Sequence, residues 1–289
     1  MANTQFVAPE TIAHAVSLLK KETGNVKVLA GGTDLLVQLK SGRIEPSTIV
    51  DLKKIPELTT IAKEKYGCRI GAAVSGATLG ESTYLKNNWP GVIEALELIG
   101  STQIQGRASL GGNLCNGSPA ADSVPAMIAA GAQCEVAGPS GSRTIPVENI
   151  IIGPGKTSLE VGEFVVSIFL PKKPKLSGDA YLRLIPRTEM DIAVVGAGVS
   201  LTIDKNNTCI DARVALGAVA PRPILVERAK SILIGNKLNE QTYQKLKRVC
   251  QEACSPIDDM RGTVAYRKKV SGVLAVRAAK IAANRAREN

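Results

Sequence analysis

The sequence predicts an α+β protein, in which a half of alternating strands and helices precedes a half made mainly of strands. Three observations lead to this prediction. Apolar runs alternate with helically spaced segments up to about residue 130. From about residue 160, apolar runs follow one another with only turn residues between them. Two long helical patterns then close the chain.

The first half begins with a helical pattern at 9–21, where Pro9 is acceptable in the first turn. The elements predicted after it are a strand at 25–30, a helix at 35–42, strands at 47–55 and 68–74, and a helix at 89–100. Gly100 is typical of the residue that follows the end of a helix. This alternation predicts α/β structure.

In the second half the elements predicted are strands at 164–171, 180–186, 191–204 and 209–219, and helices at 238–254 and 264–286. A lysine- and proline-rich stretch, KKPKLSG at 172–178, separates the half with alternating strands and helices from the half made mainly of strands. We therefore predict one domain over 1–175 and a second over 176–289.

Composition excludes several classes of protein. With 289 residues, 44% of them hydrophobic, the chain can bury a sizeable core. Its longest apolar run, 192–203, is shorter than the roughly 18 to 20 residues of a membrane span, and the amino terminus lacks a signal-like pattern. Six cysteines without a CxxC pair predict reduced thiols. We expect a soluble, cytoplasmic protein.

The formal net charge is +10, and eight basic residues lie between Pro256 and Asn289. Such a tail could bind nucleic acid or an acidic partner, or it could be a solvated helix face. Nucleic-acid modules usually carry aromatic residues for stacking, and Tyr266 is the only one in the tail, so we favour the solvated face and expect no nucleic acid. His14 is the only histidine, which largely excludes serine–histidine hydrolysis and histidine-rich metal sites.

A first glycine pair follows the strand predicted at 25–30, within VKVLAGGTDLLVQL at 26–39. Gly31 and Gly32 carry no β-carbon, so the turn can adopt positive φ and its amides can approach a ligand closely. The next helix would add unpaired N–H groups that suit a phosphate or pyrophosphate. Each amide bond to a charged oxygen contributes about 1.5 to 3 kcal/mol, so a few could hold a dinucleotide without a lysine.

The two residues after this pair allow a simpler interpretation. Asp34 would cap the helix but repel a phosphate, whereas the neutral hydroxyl of Thr33 is the better direct contact. Taken alone, the stretch favours a glycine turn with a Thr or Asp cap.

A second glycine pair lies in RASLGGNLCNGSPAADSVPAMIAAG at 107–131. Asp122 or Ser123 could cap the helix that follows, Pro125 suits its first turn and Gly131 ends it. Two amide-rich loops could grip one elongated ligand. Plain N-capping remains the alternative role for Asp122.

Two other glycine motifs are discarded as nucleotide-binding signals. GAGVSL at 196–201 starts like a dinucleotide fingerprint, but Leu201 occupies the place of its third glycine, which favours a plain strand. GPGKT at 153–157 resembles the end of a P-loop, but Ile150 stands where the first glycine belongs. A nucleotide triphosphatase is therefore not expected.

Five motifs, in order along nearly the whole chain, are similar to those of one family. They are LAGGTDLL (29–36), SLGGNLCNGSPAADSVPAM (109–127), GPGKTSL (153–159), RTEMDIAVVGAG (187–198) and MRGTVAYRKKV (260–270). The sequence resembles the FAD-binding medium subunit of the molybdenum hydroxylases, of the xanthine dehydrogenase and carbon monoxide dehydrogenase type.

The resemblance implies a particular fold and FAD site. The fold would be a vanillyl-alcohol-oxidase-type FAD-binding domain of two α/β subdomains, split near 55–60, and a carboxyl-terminal domain with a three-stranded antiparallel sheet and helices. The first loop would bind the pyrophosphate, the second would lie against the cofactor, Asp122 would hydrogen-bond the flavin, and two apolar residues would lie beside it. The implied cofactor-binding residues are Leu29, Ala30, Gly31, Gly32, Thr33, Asp34, Leu35, Ile99, Ser109, Leu110, Gly111, Gly112, Asn113, Asp122, Val165 and Arg183, the last at a position where relatives often carry lysine.

The resemblance also implies a function in electron transfer. The chain would carry FAD, while a large partner subunit would hold molybdenum–pterin and a small one two [2Fe-2S] clusters. Electrons would pass from the clusters through this FAD to NAD or another acceptor, in a dimer of heterotrimers. No catalytic acid or base and no metal ligand is expected in this chain.

Two alternatives stay open at this stage. One is a flavin oxidoreductase that acts alone, and the other is a nucleotide- or nucleic-acid-binding adaptor that depends on the basic tail. Cys250 and Cys254 lie one helical turn apart, but a cluster normally needs four ligands, so plain thiols are expected.

Overall fold

The computed structural model describes residues 4–21, 25–187 and 190–289 and has the α+β architecture expected from the sequence. Its buried apolar side chains form three clusters. The first lies around an amino-terminal sheet, the second around a central sheet and its helices, and the third between a carboxyl-terminal sheet and the last helices. The predicted fold class is confirmed.

The amino-terminal sheet consists of three parallel strands in the order β1-β3-β2, namely β1 (Gln5–Val7), β2 (Val26–Leu29) and β3 (Thr48–Asp51). Parallel strands need crossover connections, and these contain α1 (Ile12–Lys21) and α2 (Leu35–Lys40). Short 3-10 helices follow β3 at Leu52–Lys54 and Pro56–Leu58. Leu29 pairs with Asp51, so the loop after β2 starts beside the turn after β3.

The central sheet is antiparallel, with strand order β4-β5-β10-β6-β7. Its strands are β4 (Ile61–Glu64), β5 (Gly67–Gly71), β6 (Gln133–Gly138), β7 (Gly141–Pro146) and β10 (Phe164–Pro171). A separate hairpin between β7 and β10 is formed by β8 (Ile151–Gly153) and β9 (Lys156–Thr157). The sequence analysis predicts only β5 and β10 among these. β7 shows why, because only one of its six residues is buried.

Short helices fill the segment between β5 and β6. They are α3 (Gly76–Glu81), α4 (Thr83–Asn88), α5 (Pro90–Glu97), α6 (Thr102–Gln105), α7 (Leu110–Cys115) and α8 (Ser123–Ala129). The helix predicted at 89–100 corresponds to α5 but ends earlier, and Gly100 adopts a φ of 62° in the turn that follows. The turn lets the chain reach α6 and the second glycine loop.

The carboxyl-terminal sheet is antiparallel and contains β11 (Ser177–Leu184), β12 (Val195–Ile203), β13 (Cys209–Gly217) and β14 (Ile224–Leu225). The expected sheet of three strands therefore has four, because a two-residue strand adds to the edge of β13. GAGVSL lies inside β12, which confirms the plain strand. Helices α9 (Glu227–Leu233), α10 (Glu240–Glu252) and α11 (Val264–Glu288) complete the chain.

Small residues let α11 lie close to the sheet. Ala278, Ala279, Ala282 and Ala283 are completely buried. A β-carbon on Gly178 of β11 would lie 2.1 Å from the carbonyl oxygen of Ala282, so this position has room only for glycine. The helix is thus a core element of the second half, not only a basic tail.

The expectation of a solvated basic face is wrong for two arginines of α11. Arg267 is 3% exposed and donates to the carbonyl oxygens of Val194 (2.7 Å) and Ala218 (3.2 Å). Arg285 donates to the carbonyl of Asp179 at 2.7 Å and pairs with Glu94 of α5. These cations hold the fold together, whereas Arg277 and Lys280, for example, are exposed as expected.

The two halves of the chain pack directly against each other. Gly91 in α5 lies so close to Ala180 in β11 that a β-carbon would be 2.9 Å from its backbone nitrogen. The backbone N–H of Tyr181 donates to Glu94 at 3.0 Å. Within the described ranges, no helix is long and apolar enough to cross a membrane.

Candidate functional site

A cleft with a volume of about 370 Å³ lies between the amino-terminal and central sheets. The loop after β2, the segment 108–116 and the β8–β9 hairpin line it, and Leu52, Leu58 and Val165 add apolar surface. Its volume falls within the range of about 300 to 1,000 Å³ that is common for ligand sites. Both glycine pairs singled out in the sequence therefore lie in one cleft.

The first glycine pair is required by two different constraints. A β-carbon on Gly31 would lie 2.0 Å from the carbonyl oxygen of Arg107, so only glycine permits this approach between the two loops. Gly32 has a φ of +81°, in the left-handed region that side chains disfavour. The predicted positive φ is found at Gly32, whereas Gly31 is required by the approach of another loop of the chain.

The backbone N–H groups of residues 31–35 donate to no acceptor within the part of the chain that the structure describes. The N–H of Leu36 is the first to be satisfied, by the carbonyl of Gly32 at 2.9 Å. Successive unsatisfied N–H groups in a glycine turn form a concave site for an anion. All five residues line the cleft.

The capping alternative for this loop is not supported. Asp34 stands at the N-cap of α2, but its side chain accepts no capping hydrogen bond. Partial desolvation raises the pKa of the Asp34 carboxyl above its usual value.

The second glycine loop is tied to the central sheet. Ser109 caps α7, because its hydroxyl accepts from the N–H of Gly112 at 3.1 Å. A β-carbon on Gly111 would lie 2.5 Å from the carbonyl oxygen of Ala72. A β-carbon on Gly112 would meet only the Ser109 hydroxyl, at 3.1 Å. Gly111 thus serves packing, and Gly112 leaves room in the cleft.

Asn113 performs the role that the sequence analysis considered for Asp122. Its side-chain oxygen accepts from the N–H of Ser123 at 3.3 Å and from the Ser123 hydroxyl at 2.7 Å, at the start of α8. Asp122 makes no side-chain capping bond. The plain N-capping alternative for Asp122 is therefore wrong.

The Asp122 carboxylate instead belongs to a buried polar cluster. It accepts from the hydroxyl of Tyr181 at 2.9 Å and from the guanidinium of Arg183 at 2.8 Å. Arg183 also donates to the carbonyl of Leu98 at 2.8 Å, next to the cleft residue Ile99. Burial raises the pKa of the Asp122 carboxyl, while the charge of Arg183 and the Tyr181 bond act in the opposite direction.

The β8–β9 hairpin forms a third wall that the predicted residue set does not include. Gly155, Thr157 and Leu159 line the cleft, and the N–H of Gly155 donates to the carbonyl of Gly117 at 2.9 Å. The expectation that GPGKT is not a P-loop is confirmed, because a hairpin and not a helix contains it. The motif itself, quoted for the family resemblance, is the signal that could have identified these residues.

Most residues of the predicted set meet at this cleft. Those that line it are Ala30, Gly31, Gly32, Thr33, Asp34, Leu35, Ile99, Ser109, Gly111, Gly112, Asn113 and Val165. Leu29 and Leu110 are buried behind the loops, and Asp122 and Arg183 lie in the adjoining cluster, outside the lining. Further lining residues that sequence reasoning missed include Lys27, Gln38, Asn116 and Glu163.

The cysteine pair that the sequence analysis considered lies far along the chain, in and after α10. Both thiols are buried, and Cys254 donates to the carbonyl of Cys250 at 3.0 Å and to the hydroxyl of Ser271 at 3.2 Å. Burial raises the pKa of the Cys250 thiol to about 12. These contacts describe two packed, protonated thiols.

Comparison with known proteins assigns this architecture to a family. A family model described as the FAD binding domain in molybdopterin dehydrogenase matches residues 2–173. The chain belongs to this family. A second model, described as the CO dehydrogenase flavoprotein C-terminal domain, matches residues 180–282 of this chain. The resemblance inferred from the motifs is confirmed.

Known relatives match this chain over almost its whole length. The carbon monoxide dehydrogenase medium chain of Afipia carboxidovorans is 34% identical over 279 residues, 96% of each chain. The xanthine dehydrogenase FAD-binding subunit of Escherichia coli O157:H7 is 33% identical over 259 residues, 89% of this chain and 88% of the relative. The structure of reconstituted CO dehydrogenase from Oligotropha carboxidovorans superposes with a TM-score of 0.94, at 33% identity over 98% of both chains.

The cleft of this chain fits FAD, the cofactor given in the description of the family. FAD is elongated and carries a doubly charged pyrophosphate between two ring systems. The five N–H groups of residues 31–35 suit the pyrophosphate, and the glycine positions leave the backbone accessible. Apolar walls such as Leu58, Leu159 and Val165 suit the rings. The chain is thus an FAD-binding component of the molybdopterin dehydrogenases, which are oxidoreductases.

Proposed function

We propose that this chain is the electron-transfer subunit that carries FAD in a molybdenum-dependent dehydrogenase complex. The observation that carries the proposal is the run of unsatisfied N–H groups at 31–35 in the cleft that also contains the second glycine loop. The family assignment supports FAD as the ligand. FAD supplies the redox chemistry when it is bound.

The protein's task is then to hold and orient the cofactor. We assign the pyrophosphate to the loop 29–35, and the opposite side of the cofactor to 109–113. Ile99 and Val165 would contact it as apolar neighbours, and their position in the cleft lining supports this.

We assign the flavin end to the side of the cleft next to Ile99. The bond from Arg183 to the carbonyl of Leu98 ties the buried cluster to this side, and this supports roles for Asp122 and Arg183 near the ring. In the cluster the carboxylate has two donors, so its orientation is fixed before any ligand binds. A polar group held in this way can position a ring nitrogen or oxygen without a proton transfer.

The partners proposed are a large molybdenum–pterin subunit and a small subunit with two [2Fe-2S] clusters, in a dimer of heterotrimers. The names of the relatives, medium chain and FAD-binding subunit, support multi-subunit assembly. Electrons would arrive from the small subunit and leave to NAD or another acceptor. The substrate would be oxidised in the large subunit.

We also propose a domain boundary at 175/176 and a division of the first domain near 55–60. Each of the three sheets has its own cluster of buried residues, which supports both, and a few residues such as Phe164 and Tyr181 pack across the proposed divisions. A cytoplasmic location is proposed as well, and the six free cysteines support it.

The visible absorption spectrum of the purified full chain tests the proposal, after reconstitution with FAD if the protein is colourless. We expect flavin bands from one FAD per chain and no oxidation of substrates by the isolated flavoprotein. A folded chain that takes up no FAD would contradict the proposal. Substrate turnover without a molybdenum subunit would instead favour a flavin oxidoreductase that acts alone.

A further inference from the structure

A lysine outside the cleft lining contacts the first glycine loop. The ammonium of Lys53 donates to the carbonyl oxygen of Ala30 at 2.9 Å and to the carboxylate of Asp51 at 2.5 Å. Asp51 also accepts from the backbone N–H of Lys53 at 3.1 Å. Lys53 is not part of the cleft lining. We propose that Lys53 is a positioning residue that acts on the cofactor's pyrophosphate through the Ala30–Gly31 peptide.

The geometry of one peptide unit carries this inference, which rests on the proposed function. The carbonyl of Ala30 and the N–H of Gly31 belong to the same trans peptide, so they point in opposite directions. Because the carbonyl is held by Lys53, the N–H of Gly31 is directed toward the cleft that Gly31 lines. It has no acceptor in the described part of the chain.

The charge of the ammonium strengthens the same donor. A cation on a carbonyl oxygen draws electron density from the peptide, and hydrogen bonds in such a chain polarise one another. The N–H of Gly31 therefore becomes a better donor to an anion. Hydrogen bonds to charged groups are also about twice as strong as neutral ones.

Asp51 keeps the lysine in this indirect role. The Asp51 side chain is 15% exposed. Its carboxylate and the carbonyl oxygen of Ala30 both accept hydrogen bonds from the Lys53 ammonium. Lys53 is therefore not free to swing into the cleft and bind a phosphate directly. The pair carries no net charge, so its effect on an anion depends on orientation and not on long-range attraction.

Equilibrium binding of FAD and of ADP to the full-length apoprotein tests the proposal. ADP contains the pyrophosphate but no flavin. Lys53→Met should weaken both ligands by about tenfold or more, the loss expected when the Gly31 N–H, no longer held in place, gives up its bond to the charged pyrophosphate. The neighbouring Lys54→Met, at an exposed position, should leave both affinities within about twofold. Lys53→Arg should restore most of the affinity, since a guanidinium can bond both oxygens.

Two further measurements separate positioning from other roles. Ile55→Val lowers the stability of the same region from a buried position, and we expect it to leave both affinities unchanged. If it weakens FAD as much as Lys53→Met does at equal loss of stability, the positioning role is overturned. The double variant Asp51→Asn, Lys53→Met removes both charges of the pair, so the ratio of wild-type to double-variant affinity should stay constant from about 50 to about 500 mM NaCl, whereas a direct phosphate contact would lose its advantage with salt.

The failures can be distinguished. If the wild-type chain binds neither FAD nor ADP, the proposed function fails. If the wild-type binds both and Lys53→Met binds them equally well, only the role of Lys53 fails. Loss of FAD with retention of ADP in Lys53→Met would place the pyrophosphate elsewhere and overturn the inference.

Discussion

Replacing Gly112 by aspartate should remove FAD binding while the fold is kept. The α7 backbone is helical here, and a β-carbon would meet only the Ser109 hydroxyl at 3.1 Å, so the side chain can be accommodated by a small shift. Its carboxylate would then extend into the cleft. At about 4 Å from a phosphate oxygen, with an effective dielectric constant of about 20, the repulsion is about 4 kcal/mol per unit charge. That corresponds to a loss of affinity of about a thousandfold.

The assay is a titration of the apoprotein with FAD, followed by quenching of flavin fluorescence. Gly106→Asp is the matched control, because Gly106 is exposed, has a φ of −59° and lies outside the cleft lining. Gly112→Ala adds volume without charge and should cost less than about tenfold. Urea denaturation checks that each variant is folded. If Gly112→Asp bound FAD as tightly as Gly106→Asp, the assignment of the loop 109–113 to the cofactor site would be refuted.

Two further predictions concern stability. The Glu163 carboxylate accepts two hydrogen bonds from Arg143, at 2.8 and 2.7 Å, and these bonds lower the pKa of Glu163. Its contribution to the free energy of unfolding is therefore present above the unfolded pKa of about 4.3 and is lost as the pH falls through the folded pKa. In urea titrations the stability difference between wild type and Glu163→Gln should therefore shrink at acid pH, and a constant difference would contradict this. Gly178→Ala should cost about 1 to 3 kcal/mol because its methyl group meets the carbonyl of Ala282, whereas Gly153→Ala, with open space around it, should cost less than about 1 kcal/mol. Equal denaturation midpoints for these two variants would show that α11 can shift without cost.

The glycine loops could be predicted because their chemistry is local. A strand that runs into Gly31 and Gly32 indicates an amide-rich turn whatever lies around it. The specific constraint on Gly31 could not be predicted, since it comes from the carbonyl of Arg107, which is distant in sequence. The same holds for Asn113, whose capping of α8 depends on how two loops meet in space.

Carboxylates were the weakest part of the prediction, since a local pattern does not reveal competing partners. Asp122 has the sequence position of a cap, but Tyr181 and Arg183 approach it from β11 and take both of its oxygens. The fourth strand of the carboxyl-terminal sheet was missed for another reason. Ile224–Leu225 is too short to show alternation, and it exists because β13 offers it an edge.

The contact between Gly31 and Arg107 defines how this cleft can vary between related chains. It is made by a glycine α-carbon and a backbone carbonyl, so no side chain sets the distance between the two loops. The residue at position 107 can therefore be exchanged without changing the width of the cleft, since its own side chain is exposed. Position 31 tolerates no such exchange. The spacing of the cofactor site thus depends on the absence of a β-carbon at position 31 and not on the side chains around it, so it can persist when those side chains change.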